Sequence, residues 1–389
     1  MKKILALTAI RSDYDLMSGI YKYLHNDKNI EFKLLVTGAH LSKVSGYSVS
    51  EIEKDNLDIL LKIESLINAD SLSSRIKSAS IFLQSSIDIV QAYNPDLIIY
   101  AGDREETMIG ALLGSYLNIP TAHFFGGDHA QDGHVDNPIR HAVSKLSSTH
   151  FVTLEEHKER LLYMGEPSKR IFVIGNPALD RFYIEKIIEK QNIITHFDRE
   201  DGFKDFALLI FHPITEERFV AAEYFENILI SLKERNINTF ISYPNIDPGN
   251  TQIIDIIDKY KDDNNFIFYK NLDRAVFVSI FKHADFIIGN SSAGILEAAS
   301  IPIPAINVGK RQTGRFSDKN VLFCDGDSDS IKSAIKNILS SVFQESISGM
   351  KNPYGDGNSS YTAYELIKEI DFKSFLYKKE DPLKKDNHE

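Results

Sequence analysis

The sequence predicts an α/β protein built from two Rossmann-like, doubly wound domains facing a cleft. Three observations predict it. Short, unbroken apolar runs alternate with longer segments of helical periodicity, as buried parallel strands and their crossover helices do. The pattern occurs twice, on either side of a polar stretch at 190–204. The length, 389 residues, exceeds what one hydrophobic core ordinarily serves. The expected organisation is a first domain over 1–190, a second over 205–360, and a C-terminal helix and tail over 361–389.

In the first half the strand-like runs are KILALTAI (3–10), FKLLVTG (32–38), DLIIYAG (96–102), TAHFFGG (121–127), HFVT (150–153) and IFVIGN (171–176). Helical spacing fills Leu16–Leu24 and Ile76–Ala92 between them. In the second half the runs are FALLIFHP (206–213), TFISYPN (239–245), NFIFYKN (265–271), DFIIGNS (285–291), IPAINVG (303–309) and NVLFCDG (320–326). Ala221–Leu232 and Ile331–Leu339 are amphipathic stretches among them. The stretch 190–204 has mixed charge and no clear period and reads as the linker. Tyr361–Ile370 reads as a last helix, and the final ten residues as a frayed end.

Composition narrows the function. A net charge of −11 argues against wholesale nucleic-acid binding. A phosphorylated ligand would then need locally concentrated arginines and helix N-termini rather than a basic face. The single cysteine, Cys324, permits no internal disulfide. No apolar run reaches the roughly 20 residues of a membrane span. The start, Met1-Lys2-Lys3 followed by ILALTAI, reads as a first buried strand rather than a signal peptide. The expectation is a cytoplasmic protein with neither a membrane nor a nucleic-acid partner. There is no GxGxxG and no Walker A segment.

Polar clusters follow the apolar runs, where doubly wound enzymes keep their sites. They are Arg11-Ser12-Asp13-Tyr14, Gly102-Asp103-Arg104-Glu105, His212-Pro213, Pro244-Asn245-Ile246-Asp247, Gly289-Asn290-Ser291-Ser292-Ala293-Gly294 and Asn307-Val308-Gly309-Lys310-Arg311-Gln312. Ser291 or Ser292 suits a helix cap and a phosphate donor alike, and Glu297, one to two turns on, suits a ribose diol. A plain capped helix and a solvated surface arginine account equally well for Ser291–Ser292 and Arg311 taken singly. The 127–142 stretch gathers Asp128, His129, Asp132, His134, Asp136, Arg140 and His141. Its spacing matches no standard zinc pattern. A helix cap at Asp136 or Asn137, with Pro138 in the first turn, is compatible with an acid/base role for the same carboxylate.

Taken together, RSDY (11–14), VTGAHL (36–41), GDRE (102–105), GGD (126–128), DNPIRHAVSKL (136–146), HPIT (212–215), PNIDPG (244–249), IGNSSAGILE (288–297), INVGKRQTGR (306–315) and YGDGN (354–358) resemble the hydrolysing UDP-N-acetylglucosamine 2-epimerases of sialic-acid-type biosynthesis. The resemblance spans nearly the whole chain. It implies the two-domain arrangement shared with GT-B glycosyltransferases, a nucleotide-sugar substrate, no metal or redox cofactor, and a homo-oligomer, dimer or tetramer. It implies proton removal from carbon 2, loss of the nucleoside diphosphate to leave a 2-acetamidoglucal, then addition of water and reprotonation on the opposite face. Carried over by motif, Asp103 and Asp136 are the acid/base candidates. Arg11, His212, Ser291, Ser292 and Arg311 hold phosphates, with His212 also a catalytic candidate, and Arg104 binds substrate or nucleotide. Glu297 holds the ribose and Asn245 lines the sugar–nucleotide site.

One departure bears on the substrate. Where the family reads His-x-Glu-Gly-Gly or His-x-His-Gly-Gly, this chain reads His123-Phe124-Phe125-Gly126-Gly127. Asp128, or its neighbour His129, is the candidate replacement for the missing polar group. Alternatively, Phe125 packs against an apolar substituent of a 6-deoxy sugar such as N,N′-diacetylbacillosamine, or is simply strand-end core. Competing functions are a non-hydrolysing 2-epimerase, which carries Glu-Ala-Gly-Leu-Arg where this chain has Phe125–His129, a GT-B glycosyltransferase, and a non-catalytic nucleotide-sugar sensor.

Overall fold

The computed structural model describes residues 1–68, 72–129, 135–197, 203, 205–214, 217–244, 249–270 and 272–383. Thirteen strands, all paired in parallel, form two sheets among these residues. The first contains β1 (Lys2–Thr8), β2 (Ile30–Thr37), β3 (Ile59–Ile63), β4 (Leu97–Ala101), β5 (Thr121–Phe124), β6 (Thr149–Val152) and β7 (Ile171–Val173), in the order β3-β2-β1-β4-β5-β6-β7. The second contains β8 (Phe206–Ile210), β9 (Asn238–Ser242), β10 (Phe266–Tyr269), β11 (Phe286–Gly289), β12 (Ala305–Val308) and β13 (Val321–Cys324), in the order β10-β9-β8-β11-β12-β13. Each sheet is doubly wound, as the alternation predicts. Each has one point where the strand order reverses, between β1 and β4 and between β8 and β11, and ligands of such sheets bind outside the carboxyl ends there.

The residue pattern explains the layers. β1, β4 and β8 are apolar on both faces and almost wholly buried, because helices cover both sides. Apolar side chains on one face of each strand join one core and those on the other face a second: Ile4 and Ala6 lie in one cluster, Leu5 and Leu7 in another. β3 was not expected from the sequence. It is an edge strand with one lysine and only its last residue buried, so its apolar run is short and broken.

Two boundaries differ from expectation. The chain forms compact units of Met1–Arg181 with Tyr354–Glu389, and of Phe182–Pro353. The described start of the 190–204 stretch is not a linker. Lys190–His196 is a helix whose Ile193 and Ile194 are buried in the second unit's core with Phe182. The segment from Tyr354 returns to the first unit, so the expected domains 1–190, 205–360 and 361–389 are redrawn. Helix Ser359–Glu369 sends Ala363 and Ile367 into the first core beside Met17 and Ile20 of helix Arg11–Asn26. Asp180 accepts hydrogen bonds from the Ser359 and Ser360 amides (3.1 and 2.5 Å), satisfying donors at that helix's start. Glu380, expected in a frayed end, pairs with Arg170 at 3.1 Å. Among the described residues no helix is long and apolar enough to cross a membrane.

Candidate active site

At the reversal point of the first sheet, the loop after β1 folds around Asp13. Its carboxylate accepts from the Ala9 amide (2.9 Å), the Ile10 amide (3.2 Å) and the Thr8 hydroxyl. Fully buried His40, just past β2, meets Thr8 Oγ1 at 2.9 Å and Ser48 Oγ at 2.8 Å. The RSDY and VTGAHL segments are thereby joined. Arg11 is two-thirds exposed and pairs loosely with Glu51 (3.4 Å) and Asp15 (3.7 Å). Exposed pairs of this kind hold a side chain weakly.

Asp103 follows β4 and accepts a bond from Arg140 Nη2. The other guanidinium nitrogen lies 3.8 Å from Asp128, which is 3.5 Å from His157. Arg140 thus joins Asp103 and Asp128. Asp136 opens the helix Asp136–Leu146, four residues before Arg140 and on the same helical face. It lies 4.0 Å from Arg75, which also holds Glu105 at 2.6 Å. Asp136 is the helix's first residue and not its cap; that place is taken by Val135, which makes no side-chain cap. Arg104 pairs with Glu106 at 3.2 Å and Glu105 at 3.6 Å.

Arg140 was named from the sequence only as part of a polar cluster, without this role, and Glu106 was not named at all. The signal for Arg140 was its four-residue spacing from Asp136. Glu106 had no signal, because only folding brings it beside Gly38, where an added Cβ would lie 3.2 Å from the carboxylate. Burial raises the Glu106 carboxyl's pKa despite Arg104.

His123, the last residue but one of β5, donates from Nε2 to the Gly102 carbonyl (2.8 Å), and its Nδ1 meets Ser144 Oγ (3.0 Å). Burial pushes its pKa down to about 3, so the ring is neutral. Phe125 has φ +63°, an uncommon conformation for a bulky residue, and is half-buried against the first core. Asp128 receives the His129 amide at 2.8 Å. The His129 ring stacks on His141, with Nδ1 3.3 Å from Nε2. Among the described residues no group of three His, Cys, Asp or Glu is placed to hold a metal ion. Asp132 and His134 lie outside the described residues.

At the reversal point of the second sheet the fixing groups are amides. Asn290, after β11, accepts from the His212 amide (2.8 Å) and donates to the His212 carbonyl (2.7 Å), stitching the ends of β8 and β11 together. Its own carbonyl receives Arg311 Nη1 (2.9 Å) and Gln312 Nε2 (3.0 Å). Gly289 makes the approach possible: a Cβ there would stand 2.1 Å from the Ile210 carbonyl.

The Ser-Ser segment starts a shorter helix than expected, Ala293–Leu296, which tightens into a 3-10 turn at Ala298. Ser291 Oγ accepts from the Ala293 amide (3.3 Å), whereas Ser292 occupies the cap position without a side-chain bond. Glu297 follows that one turn. Its Oε2 is buried and has no hydrogen-bond partner among the described residues, and burial raises its pKa. Glu217, which the sequence reading missed, accepts from the Lys310 amide at 3.0 Å and so shapes the loop carrying Arg311. Asn245 lies outside the described residues.

The sequence profile described as UDP-N-acetylglucosamine 2-epimerase matches residues 22–368. The chain is 34% identical to the hydrolysing UDP-N,N′-diacetylbacillosamine 2-epimerase of Legionella pneumophila, over 97% of this chain and 99% of that one. It is 31% identical to a UDP-N-acetylglucosamine 2-epimerase of Neisseria meningitidis serogroup B, covering 87% and 88%. It is also 31% identical to the hydrolysing GDP/UDP-N,N′-diacetylbacillosamine 2-epimerase of Campylobacter jejuni, covering 88% and 89%. Among solved structures, the Neisseria meningitidis UDP-GlcNAc 2-epimerase bound to UDP-GlcNAc has the same fold, with a TM-score of 0.76 at 20% identity over 95% of this chain and all of that one.

Proposed function

Since the chain belongs to the UDP-N-acetylglucosamine 2-epimerase family, we propose that it is a hydrolysing 2-epimerase of a UDP-linked 2-acetamido sugar, with N,N′-diacetylbacillosamine as the preferred sugar. The reaction consumes the nucleotide sugar and one water and gives the nucleoside diphosphate and the free 2-epimer. Asp103 and Asp136 exchange the proton at carbon 2, one removing it and the other returning it to the opposite face. The C1–O bond breaks as the C1–C2 double bond of a glycal forms. Water then adds to carbon 1. Arg11, Arg104, His212, Ser291, Ser292 and Arg311 hold the leaving diphosphate, Asn245 lines the sugar–nucleotide site, and the buried Glu297 oxygen accepts from the ribose. This is general acid–base chemistry combined with electrostatic stabilisation of a leaving group. The product feeds nonulosonic acid synthesis of the sialic or legionaminic type, and the enzyme works in the cytoplasm as a homo-oligomer.

The observation that carries the reading is the grouping of Asp103 with Arg140, and Asp136 one turn away on Arg140's helix, where the first sheet reverses. The diacetylbacillosamine choice is supported by full-length likeness to two relatives named for that sugar. The deciding experiment is an NMR time course in deuterated water with UDP-N-acetylglucosamine and with UDP- and GDP-N,N′-diacetylbacillosamine. The expected product is free sugar deuterated at carbon 2, with the highest kcat/KM on UDP-N,N′-diacetylbacillosamine. Release of an intact epimerised nucleotide sugar assigns the chain to non-hydrolysing epimerisation, and binding without turnover makes it a sensor.

A further inference from the structure

The returning C-terminal segment carries a partly buried cation that no step of the reaction uses. Lys378 Nζ donates to Glu166 Oε2 (2.6 Å) and to the carbonyls of Ser144 (3.1 Å) and Lys145 (2.9 Å), the last turn of helix Asp136–Leu146. Glu166 is fully buried and also meets His150 at 2.9 Å and Lys145 Nζ at 2.6 Å. Arg170, equally enclosed, donates to the Phe375 (2.5 Å) and Tyr377 (2.9 Å) carbonyls and to Glu380, and so anchors both sides of Lys378.

From the gripped helix, two connections run to Asp103. Ser144 Oγ meets His123 Nδ1 at 3.0 Å, and His123 Nε2 holds the Gly102 carbonyl at 2.8 Å, one residue before Asp103. The same hydroxyl, whose single hydrogen is shared with His123 Nδ1, lies 3.0 Å from the Arg140 carbonyl, and the Arg140 side chain bonds Asp103. Backbone and side chain of Asp103 are therefore both referred to one helix, and the end of that helix is held by a residue more than 230 positions downstream in the chain.

We propose that Lys378 is a positioning residue for the epimerase reaction: by clamping the last turn of helix Asp136–Leu146 to Glu166 it fixes Arg140, and through Arg140 and His123 it fixes Asp103. The assignment rests on the role given to Asp103 under the proposed function. A fixed carboxylate is worth most in the chemical step, since misplacing a reacting group by about 1 Å costs up to roughly a hundredfold in rate. Binding of the nucleotide needs none of these contacts.

The test uses the full-length chain as wild type, Lys378→Met and Lys378→Arg. Lys378→Met should lower kcat by roughly tenfold to a hundredfold with KM unchanged within about twofold, and Lys378→Arg should restore most of kcat. Amide exchange over 136–146 should quicken in Lys378→Met and return to the wild-type rate in Lys378→Arg. A Lys378→Met protein with lower Tm but wild-type kcat would overturn the proposal, as would an equal loss of kcat in Lys378→Arg. If the wild type turns over none of the three nucleotide sugars, the proposed function fails instead. The exchange then decides the clamp by itself: quickened exchange confined to Lys378→Met supports it, and unchanged exchange overturns it.

Discussion

The two reversal points solve the same problem with different chemistry. In the first unit the strand ends are held by ionisable groups: Asp103 by Arg140, Arg104 by Glu106, and Asp13 by a hydroxyl and two amides beside His40. In the second, neutral amides do the fixing: Asn290 joins β8 to β11, and its carbonyl anchors Arg311 and Gln312. One buried carboxylate there, Glu217, accepts from the Lys310 amide, and another buried carboxylate oxygen, Glu297 Oε2, has no hydrogen-bond partner among the described residues. A site that moves protons needs carboxylates steadied by charge. A site that holds a polyanion and a diol needs a rigid neutral frame with one acceptor left open. Under the proposed function the acid–base carboxylates belong to the first unit and most of the nucleotide contacts to the second.

Four measurements would break or sharpen that division. The largest effect is expected from Asp103→Asn and Asp136→Asn, which keep size and remove the titratable group. Each should lower kcat by about 100- to 10,000-fold while UDP affinity, followed by calorimetry, stays within about twofold. A parallel loss of UDP binding would dissolve the division.

Arg311→Ala should show the reverse, with UDP affinity falling about tenfold to a hundredfold, since a charge-assisted hydrogen bond is worth roughly 1.5–3 kcal/mol. Unchanged affinity would remove Arg311 from the nucleotide site.

Glu297→Gln should separate function from stability. The raised pKa means that burial disfavours the charged form, so in the wild type this group's contribution to stability falls as pH rises from 4.5 through its folded value. At pH 7 the amide should raise Tm by roughly 2–4 °C, as a gain of about 1 kcal/mol would, yet weaken UDP binding. A wild-type nucleotide affinity in this variant would show that the open acceptor serves no ligand.

The smallest effect concerns the neutral histidines under the first site. Burial lowers His123 to about 3 and His150 to about 4. Unfolding therefore takes up protons as pH falls below 6.5, and stability from these two groups is lost progressively between pH 6.5 and their folded values. Denaturant titrations of His150→Gln should show a shallower acid decline than wild type over that window. An identical slope would mean the ring is already charged in the folded protein.

The sequence disclosed the strands because burial on both faces writes continuous apolar runs, and it disclosed the polar groups because they sit just past those runs. What it hid follows from geometry that only folding supplies. β3 is half-exposed at an edge, so its pattern fades. Helix Lys190–His196 buries only two adjacent isoleucines, too few to mark a period. Glu106 gains its meaning from Gly38, and Arg140 from Asp103, each pair far apart in sequence. Phe125 was legible as a departure, and its packing against the core edge was one of the alternatives read there; Phe125→Leu assayed on both sugars will show whether it also touches substrate.

The split of the first unit across both ends of the chain has a consequence for its synthesis. Domains emerging from the ribosome tend to fold as units and in order. Here the second unit, 182–353, is complete as soon as Pro353 has cleared the exit, whereas the first still lacks the partners of Glu166, Arg170 and Asp180. The enclosed Arg170 guanidinium and Glu166 carboxylate wait for Phe375, Lys378 and Glu380. The unit that begins first should therefore be finished last, and a released chain truncated near residue 370 should carry a closed second unit beside an open, protease-sensitive first one.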